Sequence, residues 1–165
     1  MRRRVFMASG TALLCFTLSA TAGSSQPWRV VVVSSGGAAS LVSTFQEALS
    51  QLGYEVGKNL LLEVREAKGN YDILPEIMKE VVSLKPDVIV AEATPAVAAA
   101  KNATSTIPIV MAPATDPIGS GFIQSLAHPG GNITGVTNLY GDQTAKTLEF
   151  LHTVVPQAKK IGVLL

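Results

Sequence analysis

The chain is nearly without cysteine. Its one thiol, Cys15, sits in an apolar N-terminal stretch. A lone cysteine forms no internal disulfide, and without that stretch no thiolate catalyst or cysteine metal site is possible. Charge is also scarce, at 15% of residues and a formal net +1. There is no basic run interleaved with aromatics, so nucleic acid is not an expected partner. The two histidines, His128 and His152, are isolated and lack a second ligand at metal spacing. No Ser-His-Asp or Cys-His set assembles, which weighs against an enzyme. The glycines after the first apolar run, Ser34-Ser-Gly-Gly-Ala-Ala-Ser40, do not make G-x-G-x-x-G. They also lack the Gly-Lys-Ser/Thr ending of a phosphate loop, so no nucleotide cofactor is expected, nor any other. Internal repeats and low-complexity linkers are missing.

What the chain does have is apolar residues, 47% of the total, enough for a core that needs no disulfide. Continuous apolar runs at Arg29-Val-Val-Val-Val-Ser34, Val88-Ile-Val-Ala91 and Ile107-Pro-Ile-Val-Met-Ala112 suit parallel strands covered on both faces. Leu60-Leu-Leu-Glu-Val-Arg65 ends in alternation, as at a sheet edge. Asn132-Ile-Thr-Gly-Val-Thr137 is a further strand after the Pro129-Gly-Gly turn. Between the strands, Leu41, Phe45, Ala48, Leu49 and Leu52 fall at helical spacing, and Gly53 stops that helix. Leu74, Ile77, Met78, Val81 and Leu84 form a stripe on a helix that begins near Asp72 and ends before Pro86. A third helix covers 96–103. Ala145, Leu148, Leu151 and Val155 mark the last, ended by Pro156. Alternating strands and helices predict an α/β fold, a three-layer parallel sheet with helices on both faces.

The carboxyl ends of such strands are where open α/β sheets bind ligands. Three places qualify. Ser34 and Ser35 open a loop of small residues, which either lets a ligand approach the backbone or is simply flexible. Thr94-Pro95 reads as a helix N-cap with proline at the first helical position. The same helix start suits a ligand carboxylate. Beside it, Glu92 points into solvent, pairs with a ligand ammonium or repels a ligand carboxylate. Thr115-Asp116 reads as the cap of a short helix carrying Phe122, Ile123 and Leu126, or as an ammonium partner.

The N-terminus reads as an export signal over 1–22. Arg2-Arg-Arg4 is the basic region, Val5 to Ala20 the uncharged apolar region, and Ala20-Thr21-Ala22 the small-residue cleavage pattern. The apolar stretch is shorter than the roughly 20 residues of a membrane span. Arg3-Arg-Val-Phe-Met7 also has a twin-arginine look. A periplasmic or extracellular location follows.

Several segments in order resemble the substrate-binding proteins of ABC transporters, in particular those of the tryptophan or aromatic amino-acid type. They are Gln46-Glu-Ala-Leu-Ser-Gln-Leu-Gly-Tyr54 with Gly57-Lys-Asn-Leu60, Tyr71-Asp-Ile-Leu-Pro75, Asp87-Val-Ile-Val90, Ala103-Thr-Ser-Thr-Ile-Pro-Ile-Val110, Asp116-Pro-Ile-Gly-Ser-Gly121 and His128-Pro-Gly-Gly-Asn-Ile-Thr-Gly135. Ala93 departs from the glycine of many relatives. The resemblance implies the first lobe of a type I periplasmic-binding-protein fold over 27–138. Residues 139–165 then hold a hinge plus the first helix and strand of an incomplete second lobe. It also implies a small solute such as an amino acid, and a membrane permease and ATPase as partners. A sensor lobe of a signalling system, a non-functional fragment and a flavodoxin-like or hydrolase-like enzyme are the alternatives.

Overall fold

The computed structural model describes residues 26–138, 141–160 and 162. The expected export signal, 1–22, lies outside them, as do 139–140 of the expected hinge and most of the strand expected at the C-terminus. In chain order the elements are β1 (Trp28–Ser34), α1 (Ala39–Gln51), β2 (Leu60–Glu66), a 3-10 turn (Tyr71–Ile73), α2 (Leu74–Ser83), β3 (Val88–Glu92), α3 (Ala93–Ala103), β4 (Ile109–Thr115), β5 (Ile133–Asn138) and α4 (Gly141–Val154). The five strands form one sheet in the order β2-β1-β3-β4-β5. Every pairing is parallel.

The valine run of β1 explains its central place. Val31 and Val33 face one side and Val30 and Val32 the other, so both faces must be covered. On the first face Leu74, Met78 and Val81 of α2 and Ala96, Val97 and Ala100 of α3 close over Ile89, Ala91, Ile109 and Met111. The small alanines of α3 let it lie close to the sheet. Among the described residues the second face is covered by α1, through Leu41, Phe45 and Leu49. Leu52, expected on that stripe, is 74% exposed, because it already caps the helix C-terminus before the left-handed Gly53.

The edge expected for β2 is observed. Arg65 ties it to the first layer, reaching Glu80 of α2 at 2.9 Å and Glu63 at 3.1 Å. Its hydrogen bond to Glu80 holds the guanidinium above the ordinary arginine range. The pair is too exposed to stabilise by more than about 1 kcal/mol.

Strand β4 begins at Ile109 rather than Ile107, and runs on through Pro113 to Thr115. A proline cannot donate to a ladder. The β4–β5 register accordingly shifts between Met111 and Ala114. On the facing strand, Gly135 adopts φ 134° and presses on the backbone of Met111. A β-carbon there would lie 2.3 Å from the Met111 carbonyl oxygen.

Among the described residues no helix is long and apolar enough to cross a membrane. No group of three or more His, Cys, Asp or Glu among them could hold a metal ion.

Candidate functional site

Parallel strands place all their carboxyl ends on one edge. Here that rim gathers Ser34 of β1, Glu66 of β2, Glu92 of β3, Thr115 of β4 and Asn138 of β5. In the strand order 2-1-3-4-5 the connections reverse between β1 and β3, which is where ligands bind in sheets of this order. Ser34 pairs with Glu66 on one side and with Glu92 on the other.

The β1–β3 crevice is a closed set of hydrogen bonds. Ser34 is fully buried; its hydroxyl donates to Glu92 Oε2 at 2.8 Å and accepts the Gly36 amide at 3.1 Å. Ser35, also buried, donates to the Glu92 carbonyl at 3.2 Å. It also accepts the Ala96 amide of α3 at 3.1 Å. The loop is therefore held in place rather than flexible, and its second serine caps a helix that belongs to the neighbouring strand. Glu66, which sequence reasoning passed over, does the same for α1: its Oε1 accepts the Ala38 amide at 2.7 Å. Nothing local betrays either contact, since the partners are 61 and 28 residues apart.

The two expected caps are corrected. Helix α3 begins at Ala93, with Glu92 at the N-cap and no side-chain cap from its own segment. Pro95 is thus the third helical residue rather than the first. The Thr94 hydroxyl instead accepts the Thr115 amide at 3.1 Å, pinning the end of β4 to the start of α3. Its proton remains to be donated elsewhere. Asp116 caps no helix. Residues 117–121 form turns, Phe122 and Ile123 are buried through them, and Leu126 is exposed. The reason is the backbone: Asp116 sits at φ 43°, in the left-handed region, and its Oδ1 takes the Gly119 amide at 2.9 Å. The chain turns there too tightly to start a helix.

Ala93, at φ 69°, also holds the left-handed region that glycine occupies freely. Of the four non-glycine residues at positive φ, Ala93 and Asp116 directly follow rim strands, and Lys68 stands two residues past the end of β2. Strain of this kind costs on the order of 1–3 kcal/mol each and concentrates at functional sites.

Thr94, Pro95 and Glu92 are half-buried, and Thr115 and Asp116 are exposed. The rim is an open surface. A concavity of about 430 Å³, lined by Arg29, Leu84, Lys85 and Asp87 among others, lies at the opposite end of the sheet. The rim is the candidate site, on the topology and the convergent polar groups. No group of three or more metal-ligating side chains lies there among the described residues.

The sequence over residues 30–165 matches the family model of ABC transporter substrate binding proteins. The chain belongs to the ABC transporter substrate-binding protein family. This family member is 41% identical over 120 residues to a tyrosine-binding protein of Clostridioides difficile, covering 73% of this chain and 34% of that one. Its fold is similar to a conserved domain protein of Vibrio cholerae, with TM-score 0.70 and 34% identity over 81% of this chain and 46% of that one. It is likewise similar to a Streptococcus pneumoniae ABC domain in complex with L-Trp, with TM-score 0.63 and 29% identity. That match covers 68% of this chain and 39% of the other. The chain thus spans between about a third and a half of the length of these relatives.

Proposed function

We propose that this chain supplies one wall of the solute-binding cleft of an exported ABC importer component. The solute is an amino acid, bound without chemical change and passed to a membrane permease driven by its ATPase. Residues 27–138 are the binding lobe, and 139–165 lead through a hinge into a second lobe. Closure of two lobes around the solute is the hinge motion that the ligand stabilises.

One observation carries the reading. At the β1–β3 crevice a carboxylate, Glu92, stands directly before the start of α3, whose second residue, Thr94, keeps a hydroxyl proton to donate. The amides of Ala93 and Thr94 have no acceptor within the helix, and the helix start carries partial positive charge. A negative group beside a positive helix start complements a zwitterion. The names of the relatives, a tyrosine-binding protein and a domain in complex with L-Trp, point to the same solute class.

A single wall leaves much of a ligand wet, whereas small-molecule sites bury about 70–90% of it. Binding to this chain alone is therefore expected in the millimolar range, within reach of amide chemical-shift titration. L-phenylalanine and L-tryptophan should shift the amides of 34–38, 93–96 and 115–116. Shifts confined to other regions, or none with any amino acid, would refute the cleft.

A further inference from the structure

We propose that Glu92 selects the charge of the solute. Its carboxylate takes the ammonium group of an α-amino acid, and Ser34 is its positioning residue. The inference rests on the rim being the ligand surface, as argued above, and adds which group reads which end of the ligand.

Three acidic side chains end or follow the rim strands, and two are already engaged by the protein itself. Glu66 turns its carboxylate onto the Ala38 amide at the start of α1. Asp116 turns onto its own loop. Its Oδ1 takes the Gly119 amide, and its Oδ2 lies so near that a β-carbon on Gly119 would sit 2.0 Å away. Glu92 differs. Its Oε2 receives the Ser34 hydroxyl, and Oε1 has no partner among the described residues. The ion pairs among those residues are Lys58–Glu55, Arg65–Glu63 and Arg65–Glu80, so none neutralises Glu92.

A half-buried carboxylate with one hydroxyl and no cation is incompletely compensated. An ammonium group supplies both the charge and three N–H donors. Ser34 fixes the direction of approach. Its oxygen is occupied by the Gly36 amide, and its proton is given to Oε2. The carboxylate is thereby held at one end and presents the other. The ligand carboxylate falls to the start of α3, so the two α-substituents of an amino acid meet groups of opposite sign on adjacent residues of one strand–helix junction. The site should then separate α-amino acids from carboxylic acids of the same shape.

The test uses three compounds that differ by one charged group: L-phenylalanine, phenethylamine and 3-phenylpropionate. Each is titrated into the isotope-labelled chain while the rim amides are followed. L-phenylalanine should bind about 10- to 100-fold more tightly than 3-phenylpropionate, the range of one charge-assisted contact. Glu92→Gln keeps the side-chain shape and an acceptor for Ser34. It should erase that preference, weakening phenethylamine and leaving 3-phenylpropionate equal or tighter. An unchanged spectrum away from the rim controls for folding. If all three compounds shift the rim and Glu92→Gln leaves their order unaltered, the role of Glu92 is wrong while the cleft stands. If none shifts the rim in either protein, the cleft reading falls and this inference with it.

Discussion

The two halves of the rim solve the same problem in opposite ways. At β1–β3 the backbone is regular, with five residues in unbroken register, and the irregular work is done by side chains. Ser34, Ser35, Glu66 and Glu92 reach across strands to one another and to two helix starts. At β4–β5 the backbone itself is irregular: a register shift at Pro113, a left-handed Asp116 and a strained close approach at Gly135. There the side chains tie back to the backbone, Thr94 to the Thr115 amide and Thr137 to the Ala114 carbonyl at 2.8 Å. The first half should be sensitive to deletion of polar atoms. The second should be sensitive to added volume.

The same contrast recurs in the two helix starts. Helix α1 is capped by a carboxylate, which uses up its partial positive charge. Helix α3 is capped by a neutral hydroxyl, Ser35, which satisfies an amide and leaves the field available to a ligand.

The largest break in the comparison is expected at Gly135. Gly135→Ala forces a methyl into the Met111 backbone and should destabilise by about 2–4 kcal/mol. Denaturant unfolding at constant slope measures it. A loss below 1 kcal/mol would mean that β4 and β5 can slide apart, and that the close approach is not a constraint.

Next comes Ser35→Ala, which strips the hydroxyl cap from α3 and should cost about 1–2 kcal/mol. Ser34→Ala, by contrast, acts chiefly through Glu92. A Ser35→Ala protein as stable as the parent would show that α3 needs no cap from β1.

Ala93→Gly tests strain at the start of α3. Relief of the left-handed alanine, offset by the entropy of glycine, should leave a net gain of about 0.5–1 kcal/mol. Thermal melting should rise by a few degrees. A lower melting temperature would place the strain elsewhere.

The smallest effect sharpens the contrast between carboxylates. Glu66→Gln keeps the acceptor for Ala38 and loses only a charge beside a helix start, worth about 0.3–1 kcal/mol. Asp116→Asn keeps the Gly119 contact and tolerates left-handed backbone, so rim titrations should stay within about twofold of the parent. A tenfold loss of amino-acid affinity in Asp116→Asn would move the ammonium site from β3 to β4.

The sequence by itself determined the layers and the rim. Three buried apolar runs and two further strand-like segments, spaced by helical stripes at Leu74–Met78–Val81 and Leu41–Phe45–Leu49, leave a parallel α/β sheet as the simple outcome. That in turn puts Ser34, Glu92, Thr94 and Thr115 on one edge. These are local signals, set by periods of two and 3.6 residues and by turn-forming residues. The assignment of partners was not local, and only the tertiary structure decided it. Thr94 looked like a cap for its own helix and is a clasp for β4, because strand pairing brings the Thr115 amide within reach first. Asp116 looked like a cap and is a turn, because its backbone is left-handed and the helix never starts. Ser35 and Glu66 carry the true caps from strands 61 and 28 residues away. A hydrogen bond is decided by about 3 Å of distance, and no periodicity in a sequence records which distant amide arrives there.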